Sequence, residues 1–138
     1  MHGPSLSVGT NGAWHASWFT GAPGKSGLYY AVSTDQGASF SAPQALGNSA
    51  NKPTRPQVLA DSGQSVWRAW KEFDGHMTSI QVQHSSDGGV HWGAAVEAGR
   101  THDASDHPQL IANGKSVYLS WLSRNDGYRL TKLNDPGL

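Results

Sequence analysis

The chain of 138 residues carries ten acidic and ten basic side chains, and its 14% charged content excludes the basic field that steers proteins to nucleic acid or to anionic membranes, so neither is expected as a partner. With no cysteine, disulfides, thiolate metal sites and a cysteine nucleophile are excluded as well. The opening stretch MHGPSLSVGTNG has neither the basic start of a leader nor the apolar run of a membrane span; an exported or periplasmic parent would have lost its leader, and the compartment stays open.

In chain order, residues 5–8 follow Pro4 and read as a short strand, since proline is tolerated at a strand entrance. A glycine turn leads to a second strand, 14–19, carrying Trp14 and Trp18. The loop TGAPGKSG precedes a third strand, 27–33, and the polar turn STDQGASF joins it to a fourth, 39–45. After the link GNSANKPTR the series begins again. Pro4, Pro56 and Pro108 stand 52 residues apart, as do Trp18 and Trp70, and Asp35 and Asp87. Trp121 falls one residue early because the turn DSGQS shortens to NGKS. The second repeat thus places strands at 57–60, 66–70, 79–85 and 91–97, and the third at 109–112 and 117–122 before ending in YRLTKLNDPGL without a fourth strand. The repeats are 1–52, 53–104 and 105–138 within one unit, 1–138.

Seventeen glycines, seven prolines and six tryptophans around short apolar runs describe hairpins and leave no room for long amphipathic helices. Four antiparallel strands at this period cannot bury both faces alone, so they should stack as blades around an axis. The expected fold is all-β: a beta-propeller of four-stranded antiparallel blades, about 2.75 of them, roughly half of a six-bladed ring.

The repeated turn has the frame S-x-D-x-G-x-x-(F/W), filled by Ser33, Asp35, Gly37 and Phe40 and again by Ser85, Asp87, Gly89 and Trp92. A short carboxylate can accept several N–H groups of such a turn, glycine supplies positive φ, and the aromatic folds back beneath the hairpin. Architecture uses every residue of the frame, whereas catalysis would need only the acid. Trp18, Trp70 and Trp121 recur at one position and are expected to interlock neighbouring blades.

Function should sit on the other face, where the loops between second and third strands meet the interblade links and most ionisable residues gather. Arg55 and His107 immediately precede the repeated prolines, where the innermost strands begin, so they should converge on one mouth and could bind an anion. Arg100, Arg124 and Lys71 are the further ligand-binding candidates. His2, His107 and His102, with Asp106 nearby, are the weaker set for a metal ion, because they lack a local ligand spacing. No cofactor is required by these residues.

The two aspartate turns, with VWRAWKEFDG and DHPQLIANGKSVYLSWLSRNDGYRL, resemble the Asp-box, or BNR, repeats of the sialidase-like propeller superfamily and its bacterial members. That resemblance implies a site in which three arginines clamp a substrate carboxylate, a Tyr/Glu pair supplies the nucleophile and an acid donates a proton. The chain has no arginine-isoleucine-proline signature. Arg68 and Arg129 lie inside expected strands, Tyr128 with Glu72 is the only pair to nominate, and Asp106 is a candidate acid. The expected function is therefore a non-catalytic module binding a small anionic or carbohydrate ligand, or a metal. The alternatives are an exo-glycosidase of sialidase type, completed in a longer chain or oligomer, and a structural protein-interaction module. An incomplete ring leaves open edges, so either a homodimer or a longer propeller is expected to close it.

Overall fold

The computed structural model describes residues 3–134 and contains three antiparallel sheets. The first is β1 (Ser5–Val8), β2 (Trp14–Thr20), β3 (Gly27–Ser33) and β4 (Gln44–Leu46), hydrogen-bonded in that order. The second is β5 (Thr54–Ala60), β6 (Val66–Phe73), β7 (Thr78–Ser85) and β8 (Val96–Thr101), again in sequence order. The third has β9 (Gln109–Asn113), β10 (Ser116–Ser123) and β11 (Gly127–Lys132), with β10 in the middle. A short 3-10 turn, Ser49–Asn51, lies in the first link. Among the described residues no helix is long and apolar enough to cross a membrane.

The sheets are stacked face to face as propeller blades, and the middle one shows why. Residues Val66 to Trp70 are all buried, which a strand achieves only when both of its faces are covered. Val66 and Trp70 join Leu28, Tyr30, Leu46 and Val58 in a core against blade one. Trp67 and Ala69, from the alternate face, join Val117, Leu119 and Trp121 in a core against blade three. Near the axis, the inner strands run beside one another: Ser5 and Ser7 accept hydrogen bonds at Oγ from the backbone N–H groups of Val58 (3.0 Å) and Ala60 (2.9 Å). The free edge of β5 is thereby satisfied by side chains of the neighbouring blade rather than by another strand.

Several expectations are corrected. The fourth strands start at Gln44 and Val96, five residues later than the pattern suggested, because the aspartate turns hold the chain through Ser39 and His91 before pairing resumes. β5 begins at Thr54, ahead of Pro56, and carries the proline in a bulge where the register shifts between Thr54 and Gln57. Arg55, within that bulge, has φ +57°. β6 runs on to Phe73, so Lys71 and Glu72 are strand residues on opposite faces instead of loop residues. Phe40 does not fold beneath its hairpin but is 45% exposed. Trp70 and Trp121 are buried between blades as expected, whereas Trp18 is half-buried and stacks on Tyr29 at 6.2 Å, on the face turned away from blade two.

Candidate functional site

The two aspartate turns have one wiring. Ser33 Oγ donates to Asp35 (2.7 Å) and accepts from the backbone N–H of Asp35 (3.3 Å) and Gly37 (2.8 Å). Asp35 in turn accepts from Ser39 N–H (2.8 Å) and from the Ser39 hydroxyl. Those two bonds, with that from Ser33, hold the Asp35 carboxyl down at about 2. In the second turn Ser85 Oγ donates to Asp87 (2.7 Å) and accepts from Gly89 N–H (2.9 Å), and Asp87 takes His91 N–H (2.9 Å) and contacts His91 Nδ1 at 2.7 Å. The backbone bond from His91, followed by the Ser85 hydroxyl, holds Asp87 well below the usual carboxylate range. Trp92, unlike Phe40, packs inward and donates from Nε1 to Gly89 O at 3.1 Å. Both carboxylates are thus engaged within their own turns.

On the loop face, Arg55 and His107 line one cleft of about 230 Å³ together with Gly3, Pro4, Pro56 and Gln57. Its walls are the entrances of the three inner strands, contributed by three different blades. His107 also borders a hollow of about 330 Å³ shared with Asp106, Ser120, Leu122 and Tyr128. Asp106 and Arg124 border another, of about 350 Å³. Lys71, half-buried on β6, donates from Nζ to Ser105 O at 3.2 Å. Burial lowers the Lys71 pKa, the Arg55 charge pushes it the same way, and Asp106 opposes both. Arg55, His107, Lys71 and Asp106 are therefore brought to one region, with Arg124 and Tyr128 on its border.

Other candidates lie elsewhere. Arg100 projects from the outer strand β8, where Glu97 binds it at 2.9 Å and raises its pKa. His102 is exposed just beyond that strand. His2 lies outside the described residues, among which no three His, Asp or Glu side chains are arranged to hold a metal ion. Glu72, buried and turned toward blade one, accepts from Trp70 Nε1 (2.7 Å) and Asn48 N–H (2.8 Å), with Asn51 Nδ2 at 3.5 Å. It ties the first link to the blade core. Tyr128 sits on the outer face of blade three with its hydroxyl 2.9 Å from Ser120 Oγ, so the nominated Tyr/Glu pair is not assembled.

One cation was not foreseen as a core element. Arg68 is 5% exposed between blades one and two. It donates from Nε to Gln83 Oε1 (2.8 Å), and its guanidinium lies 3.9 Å from the Trp92 ring centre and 5.5 Å from that of Tyr30. Burial pushes its pKa down to about 10. The Trp92 of the aspartate turn was the only sequence signal for it, since an aromatic at that position offers a cation its face.

No family model and no curated protein matches the sequence. Solved structures are similar to it in fold. An α-L-arabinofuranosidase from Fusarium graminearum, in complex with an iminosugar inhibitor, is similar with a TM-score of 0.71 at 15% identity, covering 94% of this chain and 43% of that one. An α-L-arabinanase from Penicillium chrysogenum, complexed with arabinobiose, gives 0.70 at 16% identity over 93% of this chain and 45% of that one. A Hadza microbial sialidase gives 0.58 at 16% identity over 94% and 32%. The chain spans less than half the length of each, and what it shares with them is the propeller fold.

Proposed function

We propose that the chain is a non-catalytic, carbohydrate-binding propeller segment that holds an anionic sugar group in the cleft between Pro4, Arg55 and His107. The observation that carries this reading is the convergence of Arg55 and His107, from equivalent strand entrances of two blades, on one cleft. A guanidinium offers parallel N–H donors to a carboxylate or sulfate. The half-buried Lys71 ammonium feels the Arg55 charge, and a bound anion would relieve that crowding. At about 230 Å³ the cleft is smaller than most ligand pockets, which suits a charged substituent or part of one sugar ring. The carbohydrate class rests on the likeness to propellers solved with an iminosugar and with arabinobiose. The absence of catalysis is supported by Glu72, whose carboxylate is consumed by Trp70 and Asn48 far from Tyr128.

Titration with glucuronate and N-acetylneuraminate, with arabinobiose as the neutral control, tests it. The acids are expected to bind, and Arg55→Glu to weaken them about tenfold or more, since hydrogen bonds to a charged group contribute roughly 1.5–3 kcal/mol. Undiminished affinity removes Arg55 from the site, and binding of arabinobiose alone overturns the anionic group. Turnover of a fluorogenic sialoside that vanishes in Glu72→Gln would overturn the non-catalytic reading in favour of a sialidase-type exo-glycosidase.

A further inference from the structure

On the loop face a second hollow, of about 410 Å³, opens between blade one and the start of blade two. Its walls come from three segments: Phe19 near the end of β2, Ser26 just before β3, and Ser49, Lys52, Pro53 and Thr54 in the link that leads into β5. Phe19 also packs against the core between the two blades, so one side of the hollow is anchored in that core. The hollow is larger than the Arg55 cleft and falls in the range of about 300–1,000 Å³ that holds small ligands.

The opposite wall is held by Glu72. Its buried carboxylate accepts from Asn48 N–H (2.8 Å), with Asn51 Nδ2 at 3.5 Å, and Asn48 Oδ1 accepts in turn from Ala50 N–H (3.1 Å). These bonds fix the turn Ser49–Asn51, and Lys52 ends it in the left-handed conformation with φ +50°. Three non-glycine residues among those described have positive φ, and two of them are Lys52 and Arg55. Such backbone is kept where a side chain must be aimed, and it clusters at ligand sites. Among the described residues no hydrogen bond or ion pair engages the Lys52 ammonium or the hydroxyls of Ser26, Ser49 and Thr54.

These groups suit a sugar ring that carries a charge. Phe19 and Pro53 offer apolar surface to its C–H groups, the three hydroxyls can donate to and accept from its OH groups, and the ammonium suits a carboxylate. Thr54 lines the hollow and Arg55, the next residue, lines the cleft, so a single peptide of the β5 bulge separates two basic sites on one face. We infer that the hollow is a second sugar subsite, in which Lys52 takes the carboxylate of the residue next to the one held by Arg55. The ligand is then an oligosaccharide of acidic sugars, a conclusion that rests on the ligand reading above and narrows it from one anionic group to a chain of them.

Calorimetric titration of the 138-residue protein with galacturonate and with its linear dimer, trimer and tetramer tests the assignment. Affinity is expected to rise at least about tenfold from monomer to trimer, because the second contact is made by the same molecule at high effective concentration. Lys52→Asn removes the charge and keeps a residue that tolerates the left-handed conformation. It is expected to bring the trimer down to nearly the affinity of the monomer. Lys52→Gly serves where circular dichroism shows that the first variant has not folded. An affinity that stays flat over the series overturns this inference and leaves the Arg55 cleft standing. So does a gain with length that survives Lys52→Asn. Binding that Arg55→Glu leaves undiminished at every length refutes the cleft, and with it a ligand shared between the two sites, while absence of binding at any length refutes both.

Discussion

The most heavily used residues of this fold are small and polar. Ser33 is buried and serves three hydrogen bonds through its hydroxyl, two of them accepted from the part-buried backbone N–H groups of Asp35 and Gly37. Ser33→Ala is therefore expected to cost about 1–2 kcal/mol in a urea titration, since each net intramolecular hydrogen bond contributes roughly 0.5–1.5 kcal/mol. Asp35 adds a pH signature. Its folded pKa, about 2, lies below the ordinary value of 3.8, so its stabilisation is complete above 3.8 and disappears as pH falls from there through 2. Replacing it by asparagine is expected to remove that acid-limb slope, and an unchanged slope would assign acid sensitivity elsewhere. The glycines of the two turns differ in what they exclude. Gly37 has Trp14 beside it, whereas a Cβ on Gly89 would sit on the Tyr30 hydroxyl of the neighbouring blade. Both have positive φ, +86° and +92°, so the closer clash with Tyr30 should make Gly89→Ala the more damaging of the two substitutions, by thermal midpoint.

At the scale of strands, much was legible because proline, tryptophan and aspartate each mark a fixed place in the hairpin. Strands β1 to β3 and their counterparts follow from those markers. The fourth strands do not, since Asp35 and Asp87 reach four residues forward to Ser39 and His91, and propensity carries no record of that reach. The meeting of Arg55 and His107 was readable from the prolines beside them. The separation of Lys71 from Glu72 was not, because it turns on β6 continuing to Phe73 and so sending neighbours to opposite faces. Nor could periodicity reveal what β2 and β3 bury together. His15 lies fully buried with Nδ1 2.6 Å from the Tyr30 hydroxyl, and its Nε2 has no hydrogen-bond partner among the described residues. Burial lowers its pKa below 6.5, and burial lowers that of His84 too, against a smaller opposing effect of Asp61. The unfolded chain therefore binds these protons more readily than the folded one, so stability is full above about 6.5 and declines as pH falls below it. The urea midpoint is expected to drop between about pH 7.5 and 5.5, and to drop less in His15→Asn; equal slopes in the two proteins would remove His15 from the account.

Across the whole molecule, stability is arranged along a line of blades, each touching only its neighbours. Two separate cores, one on each face of the middle blade, are what hold the three sheets together. Such quasi-one-dimensional architectures can loosen at one junction while the other persists. Trp121 is the sharpest place to test this. It lies against Gly99, where a Cβ would stand 2.9 Å from the indole, and it donates from Nε1 to Asp106 O at 2.9 Å, in the link that carries His107. Trp121→Ala removes about 3–5 kcal/mol of packing from the junction between blades two and three and leaves that between one and two untouched. Amide hydrogen exchange should therefore accelerate by roughly a hundredfold to a few thousandfold in β9 to β11 and in residues 104–107, with β1 to β3 close to the wild-type rate. Acceleration spread evenly over all eleven strands would mean that the blades unfold as one cooperative unit. Confined acceleration would mean that the half of the cleft supplied by His107 can come loose while Arg55 stays in place, so that affinity for an anionic sugar would depend on a junction tryptophan that never touches it.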